Sequence, residues 1–326
     1  MKNLFRKILV GCLVLVSVFV FGGCGKKEKK VISIIQYVSA TALDNAKDGI
    51  IEGLKAQGFV DGENVEITVY NPQAKADTLA QMCETAVKKS DLIFAIATPV
   101  AQALVNELDK QGSTVPVLFT AVTDPVASNI IKDAKTPGGC ISGTSDINPV
   151  ADQVKLLKEI NPAATKLGFV YTAGENNSII QLNMAKEAAR SIGVEIVDKA
   201  CTNSTDLEQV VKSLISAGID ALYVPTDNDV ASQMALLASL CNQAKVITIC
   251  GEEGQVNDGG TITVGSVNYL ELGKMTGKMG ADVLNGGDIS KMSVQYFTST
   301  DYKVNFETVE EFDLAIPETV KAKAKK

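Results

Sequence analysis

The sequence predicts an α/β protein of two lobes, each a doubly wound parallel sheet with helices on both faces. Three observations carry this. Apolar strands and amphipathic helices alternate along most of the 326 residues, the pattern of a parallel sheet between helix layers with right-handed crossovers. The plan repeats in the second half of the chain. A strand also runs directly into a helix in both halves, at residues 92–104 and again at residues 222–233.

Taken in order, residues 31–37 form a strand. Leu43, Ala46, Ile50, Ile51 and Leu54 then recur at helical spacing, and Gly58 stops that helix. Residues 65–70 alternate as a second strand, and 79–87 give a second helix. Residues 92–97 are continuously apolar, as expected of a strand covered on both faces. Thr98 can cap the next helix by accepting a hydrogen bond from a first-turn N–H. Pro99 suits the first helical position, where the N–H has no partner anyway, and Val100, Ala103 and Leu104 begin an apolar face. Residues 115–122 are the fourth strand, with Pro116 at its start. Thr123-Asp124-Pro125 closes it, with room for a short helix beyond, and 141–147 reads as a crossing segment.

In the second half, 166–171 is a strand followed by the polar loop 173–178. Ile179, Leu182, Ala185, Ala189 and Ile192 form a helical stripe ending at Gly193. A strand at 194–197, a helix at 207–214, a strand at 221–224, a helix at 230–240 and a strand at 246–250 follow, the last running into Gly251-Glu252-Glu253-Gly254. Residues 261–267 read as a second crossing, 270–284 as a helix with apolar Leu272, Met275 and Met279, and 294–297 as a late strand. The expected division is 31–145 with about 266–290 in lobe 1, and 146–265 with about 291–326 in lobe 2. The tail's helix joins the first lobe and its last strand the second.

Ahead of the fold, residues 1–23 read as a signal peptide: Lys2, Arg6 and Lys7, then an apolar core from Ile8 to Phe21, short for a membrane span. Phe21-Gly22-Gly23-Cys24 resembles a bacterial lipobox, which implies cleavage before Cys24 and a lipid on its thiol. Residues 24–30 are a basic tether. Cleavage leaves 28 of the 31 basic residues against 38 acidic ones, so the formal charge moves from −7 to −10. An acidic exported chain argues against nucleic acid as a partner. Beyond Cys24 five cysteines remain, an odd number without zinc or disulfide spacing, and most read as small core residues, with a Cys241–Cys250 bridge as the alternative for that pair.

The segments Ile34-Ile35-Gln36-Tyr37-Val38, Ala97-Thr98-Pro99-Val100-Ala101-Gln102-Ala103, Phe119-Thr120-Ala121-Val122-Thr123-Asp124-Pro125, Gly143-Thr144-Ser145-Asp146 and Tyr223-Val224-Pro225-Thr226-Asp227-Asn228 together resemble the ABC-transporter substrate-binding lipoproteins of the tryptophan/tyrosine type. The resemblance spans nearly the whole mature chain. It implies a type I periplasmic-binding fold with a multi-strand hinge. It further implies an aromatic amino acid as ligand, a membrane permease and ATPase as partners, and anchorage outside the cytoplasm. Many relatives carry a His-Pro pair in the first loop, where this chain has Ala40-Thr41.

The polar turns fall at carboxyl ends of strands, where open α/β sheets bind ligands. Thr98, Pro99 and the N–H groups after them are the first choice for a ligand carboxylate, with Thr120 and Ala121 beside them. A carboxylate must take the ammonium. Asp146, Asp227, Glu175 and Glu252 are the candidates, Asp227 and Asp146 being favoured. Asn176, Asn177, Ser178, Thr226, Asn228 and Gly251 can add polar contacts, and Tyr37 can offer a flat wall. Tyr171, Tyr223 and Phe119 read as core.

Catalysis fares poorly. The chain has no histidine, which removes His-based triads and His-based zinc sites. It has neither phosphate-loop fingerprint, and Asp227-Asn228-Asp229 lacks the rest of a calcium loop. No cofactor or metal is expected. The reading is a monomeric, lipid-anchored receptor of an ABC importer that captures free tyrosine, tryptophan or phenylalanine; a surface adhesin or sensor on the same fold is the alternative.

Overall fold

The computed structural model describes residues 29–297 and 299–325. The signal peptide, Cys24 and most of the tether therefore lie outside the described residues. The first half runs β1 (Lys30–Gln36), α1 (Thr41–Ala56), β2 (Val65–Tyr70), α2 (Ala76–Lys89), β3 (Leu92–Ile96), α3 (Thr98–Gln111), β4 (Val117–Val122) and β5 (Ile141–Ser145). The second continues α4 (Val150–Ile160), β6 (Lys166–Thr172), α5 (Asn176–Ser191), β7 (Glu195–Cys201), α6 (Leu207–Ser216), β8 (Ala221–Val224), α7 (Asn228–Ala231), α8 (Met234–Gln243), β9 (Ile247–Cys250), α9 (Glu253–Asn257) and β10 (Ile262–Val264). The tail adds α10 (Tyr269–Leu284), β11 (Gln295–Tyr296), β12 (Tyr302–Val304), α11 (Phe306–Glu311), α12 (Glu318–Lys323) and β13 (Ala324–Lys325).

Among the described residues there are two sheets, with orders β2-β1-β3-β4-β5-β11 and β7-β6-β8-β9-β10-β12-β13. All pairings are parallel except β10 with β12. The period of two in β3 sends Phe94 and Ile96 to a core with Leu43, Ile50 and Leu54 of α1. Ile93 and Ala95 go to a core with Leu79 and Val87 of α2 and Val100 and Leu104 of α3. In the second lobe, Phe169 and Tyr223 pack under α4 and α5, while Val170 and Leu222 pack under α6 and α8. Tyr223 and Phe119 are wholly buried, as expected of core residues.

Several expectations need correction. Thr98 is not the cap of α3. Ala97 holds that position with φ +89°, no side chain caps the helix, and Pro99 falls one place further in. The segment after β4 forms turns rather than a helix, held by the Asp124 carboxylate accepting from the N–H groups of Val126 and Ala127 at 3.0 and 2.9 Å. Helix α4 is absent from the sequence reading, although Val150, Val154 and Leu157 give it a buried face. The helix expected at 230–240 is broken into α7 and α8, and the cysteines at 241 and 250 are free. The late strand pairs with β5 in the first sheet, not the second. Strand β12 joins the second sheet instead, so the switch of lobes comes after residue 296.

The chain thus crosses between lobes three times, after β5, after β10 and after β11. The crossings touch at Gly265 (φ +65°), where an added Cβ would meet Pro149 Cγ at 2.6 Å and the Ser299 carbonyl oxygen at 3.1 Å. In the first lobe, α1 and α10 pack backbone to backbone. A Cβ on Gly49 or Gly53 would overlap the carbonyl oxygens of Leu270 and Lys274, and one on Gly273 or Gly277 those of Ala46 and Ile50. Small residues four apart let the two backbones touch, as in other glycine-lined helix pairs. The contacts advance together along both helices, so the pair is parallel and both N-termini point to the same edge.

Gly273→Ala should destabilise the protein by about 1–3 kcal/mol in denaturant unfolding, because overpacking against fixed backbone outweighs the gain of up to about 1 kcal/mol from replacing a helical glycine. Gly174→Ala, where an added Cβ meets nothing within 4 Å, serves as the control and should be near neutral. Equal stabilities for the two variants would refute the close seam.

Candidate ligand-binding cleft

A small cavity lies between the lobes, lined from the first by Ala40, Ala42, Leu43, Ala121 and Tyr269, from the crossing by Asp146, and from the second by Thr226, Asp227, Asn228, Ala231, Glu252 and Gln255. Four helix N-termini reach it. Those of α7, α9 and α10 are capped by side chains of the chain itself. Asp227 accepts from Val230 N, Glu252 from Gly254 N and Gln255 N, and Asn268 from Glu271 N. That of α1 is not: Ala40 occupies its cap position without a side-chain hydrogen bond. Its first-turn N–H groups and positive dipole end are therefore left for another partner. The Ala40-Thr41 pair stands at this helix start.

The cleft holds an excess of negative charge. Asp227 is fully buried and saturated. Its oxygens accept from Thr172 N at 2.7 Å, Thr172 Oγ1 at 2.8 Å, Ser178 Oγ at 2.7 Å and Val230 N at 3.0 Å. Glu175, behind it, accepts from Asn177 Nδ2 at 2.9 Å, Asn228 Nδ2 at 2.6 Å, and the N–H groups of Asn228 and Asp229. These two acids tie the loops after β6 and β8 into one rigid wall. Burial first, then the charge of Asp227, holds the Glu175 carboxyl well above its usual range. Asp229 is pushed up to about 6 by burial and by Asp227, and Glu252 to about 7 by burial.

Asp146 differs from all of these. It is 3% exposed, and its backbone N–H donates to Val122 O at 3.2 Å. One carboxylate oxygen, Oδ2, accepts from the Tyr269 hydroxyl at 2.7 Å. The other, Oδ1, is buried with no hydrogen-bond partner. Burial pushes the Asp146 carboxyl up to about 6, against the opposing pull of hydrogen bonds from the Tyr269 and Thr123 hydroxyls. No Lys or Arg lines the cavity, and no metal-holding cluster exists among the described residues. An unpaired buried carboxylate oxygen costs a few kcal/mol, so the site has a vacancy for a donor.

The structure brings six of the sequence-predicted residues to the cavity wall: Ala121, Asp146, Thr226, Asp227, Asn228 and Glu252. Ala121 is turned there by a bulge in β4, with φ +53°. Gly251, Asn176, Asn177, Ser178, Thr98, Pro99, Thr120 and Tyr37 do not line it. Thr120 accepts from Thr144 Oγ1 at 2.9 Å inside the first lobe, and Thr98 keeps a buried, unpartnered hydroxyl. Asn177 and Ser178 brace Glu175 and Asp227. Asn176 Nδ2 reaches across to Ser128 Oγ at 3.3 Å. Tyr37 is half-buried, its hydroxyl raised by burial and by Glu175, Asp229 and Asp227. The reading missed Ala40, Ala42, Leu43, Ala231, Gln255 and above all Tyr269. An aromatic directly after a crossing segment was the available signal.

The family model for ABC transporter substrate binding proteins matches residues 31–326. The chain belongs to that family. Substrate-binding proteins of ABC transporters are extracytoplasmic, and their role is to bind. No helix among the described residues is long and apolar enough to cross a membrane. A tyrosine-binding protein of Clostridioides difficile (strain R20291) is 36% identical over 289 residues, 88% of this chain and 82% of that one. The structure of an ABC domain from Streptococcus pneumoniae in complex with L-Trp is 32% identical, with TM-score 0.85 over 91% of this chain and 98% of that one. The ligand-free, open structure of a substrate-binding protein with adhesive properties from Clostridium difficile is 37% identical. It superposes with TM-score 0.67 over 91% of this chain and 99% of that one. The better match is to the complex, despite its lower identity. Two hydrogen bonds join the lobes, Asn176 to Ser128 and Thr41 Oγ1 to Asp258 Oδ2 at 3.0 Å.

The raised carboxyls set a pH dependence of the fold. Asp146, Asp229 and Glu252 bind protons more tightly folded than unfolded, so their contribution is fully present below about pH 4 and is lost as pH rises through 6 to 7. The ligand-free protein should melt at a higher temperature at pH 5.5 than at pH 8 in a thermal scan. A melting temperature that rose steadily from pH 5.5 to 8 would contradict the charge balance of the cleft.

Proposed function

We propose that this protein captures a free aromatic amino acid (tyrosine, tryptophan or phenylalanine) between its lobes and presents it to an ABC permease powered by a separate ATPase. A lipid on Cys24 holds it, as a monomer, at the outer face of the cell membrane. The observation that carries the reading is the vacant oxygen of Asp146 in a cavity that also contains the one uncapped helix end. A zwitterion fits both: its ammonium on Asp146 Oδ1, its carboxylate at the first turn of α1. This moves the carboxylate from the expected Thr98 to Ala40–Leu43. Of the two acids favoured for the ammonium, it selects Asp146, since the oxygens of Asp227 already have four donors. Tyr269, the aromatic residue of the cavity wall, offers a ring face. The tyrosine-binding and L-Trp-bound relatives support the aromatic class.

Titration calorimetry against the common amino acids should give binding for at least one aromatic amino acid and none for their decarboxylated amines. Mass spectrometry of ligand released from denatured protein should find the same compound. Asp146→Asn should weaken binding roughly 10–100-fold, the loss of a charge-assisted hydrogen bond. Binding of aliphatic amino acids alone, or undiminished binding by Asp146→Asn, would sink this assignment.

A further inference from the structure

Tyr269 is the first residue of α10, just past the second crossing, and Asp146 stands just past β5 on the first. They are 123 positions apart, yet hydroxyl and carboxylate meet at 2.7 Å, both side chains buried. The ring has little freedom. Its helix is locked to α1 by the glycine seam, and Asn268 caps that helix from the preceding residue. Asp146 is tethered by its own N–H to Val122 O. The phenol thus holds Oδ2 and, with Thr123 acting on the same carboxyl, fixes the rotation of its plane, while Oδ1 has no partner at hydrogen-bond distance.

We propose that Tyr269 is a positioning residue for ligand recognition, holding one oxygen of Asp146 so that the other is fixed toward the ligand's ammonium. The inference rests on the amino-acid reading above. The neighbouring groups are defined. From the first lobe, Tyr269 faces Asp146. From the second, Asp227 and Glu252 line the same cavity, both already engaged as helix caps. Neither replaces the phenol as a donor to Asp146. A hydrogen bond to the carboxylate favours its charged form, so the phenol also keeps Asp146 ionised to lower pH than burial alone allows.

The test is calorimetry of the full mature chain with the aromatic amino acid that the wild type binds, from pH 5 to 8. Tyr269→Phe keeps the ring and removes the hydroxyl. It should weaken binding about tenfold at pH 7 and move the acid-side loss of affinity to higher pH. In an Asp146→Asn background the same change should have little further effect. Asp146→Glu, which keeps the charge but displaces the oxygens from the fixed hydroxyl, serves where Tyr269→Phe folds poorly, and should also lose affinity. Wild-type affinity with an unmoved pH profile in Tyr269→Phe overturns the proposal, as does an equal loss on both backgrounds or wild-type affinity in Asp146→Glu. A wild type that binds no amino acid overturns the ligand reading itself and the positioning role with it. Wild-type binding untouched by Asp146→Asn defeats the Asp146 assignment while leaving the ligand class standing.

Discussion

The direct backbone contact between α1 and α10 is the constraint on which the cleft depends. Helix α10 reaches the first lobe only after the chain has built the second, so nothing local places it. Four glycines and Ala46 remove the side chains that would keep the axes apart, and carbonyl oxygens of each helix fill the space where Cβ atoms would stand. Two consequences follow from one seam. The open N-terminus of α1 and the phenol of Tyr269 arrive at the same edge of the sheet, and neither can move without the other. A looser helix pair with ordinary side chains would still bury Leu272 and Met279. It would not hold a hydroxyl 2.7 Å from a carboxylate on another crossing.

The second constraint is electrostatic. Five carboxylates gather around the cleft, and no Lys or Arg lines its cavity. Each of three is neutralised in a different way. Asp227 is neutralised by two N–H and two O–H donors, Glu175 by amides of Asn177 and the α7 turn, and Glu252 by the first turn of α9. These contacts make the second lobe's face rigid without any ligand. Asp146 is only half neutralised. A closed cleft of this composition is costly when empty, and a ligand cation offsets the imbalance. Closure is therefore coupled to binding through charge as well as shape.

The sheets were legible because their signal is local. The unbroken apolar run at 92–96 and the strand-to-helix turn at 221–228 each depend on neighbours in sequence. Asp146, Asp227 and Glu252 were legible because carboxylates at strand ends fall in the cleft of any such fold. Their division of labour was not. Asp227 looks as good an ammonium ligand as Asp146 until Thr172 and Ser178, about 50 positions away, are seen to occupy it. Thr98 looked like a cap because Thr-Pro opens helices well. The turn instead comes at Ala97 in a left-handed conformation, and the hydroxyl is left facing inward. The allegiance of the late strand was unreadable in the same way: Gln295 and Tyr296 acquire a lobe only by pairing with Thr144 and Ser145.

Tyr269 shows most sharply what such reading omits. Its type and position say only that a helix begins after a crossing, and an aromatic there would suit a core as well as a cavity. Its role comes from being rigid on one side and hydrogen-bonded on the other. The phenol reaches Asp146 at the root of the first crossing, so the same bond that orients the carboxylate also ties two of the three crossings together on the first lobe. Under the proposed reading, the first lobe and its crossing hold the ammonium and carboxylate common to all amino acids. Discrimination between side chains then falls to the rest of the cavity wall, where Tyr269, Ala121 and Ala231 stand beside the uncharged second-lobe residues Thr226, Asn228 and Gln255.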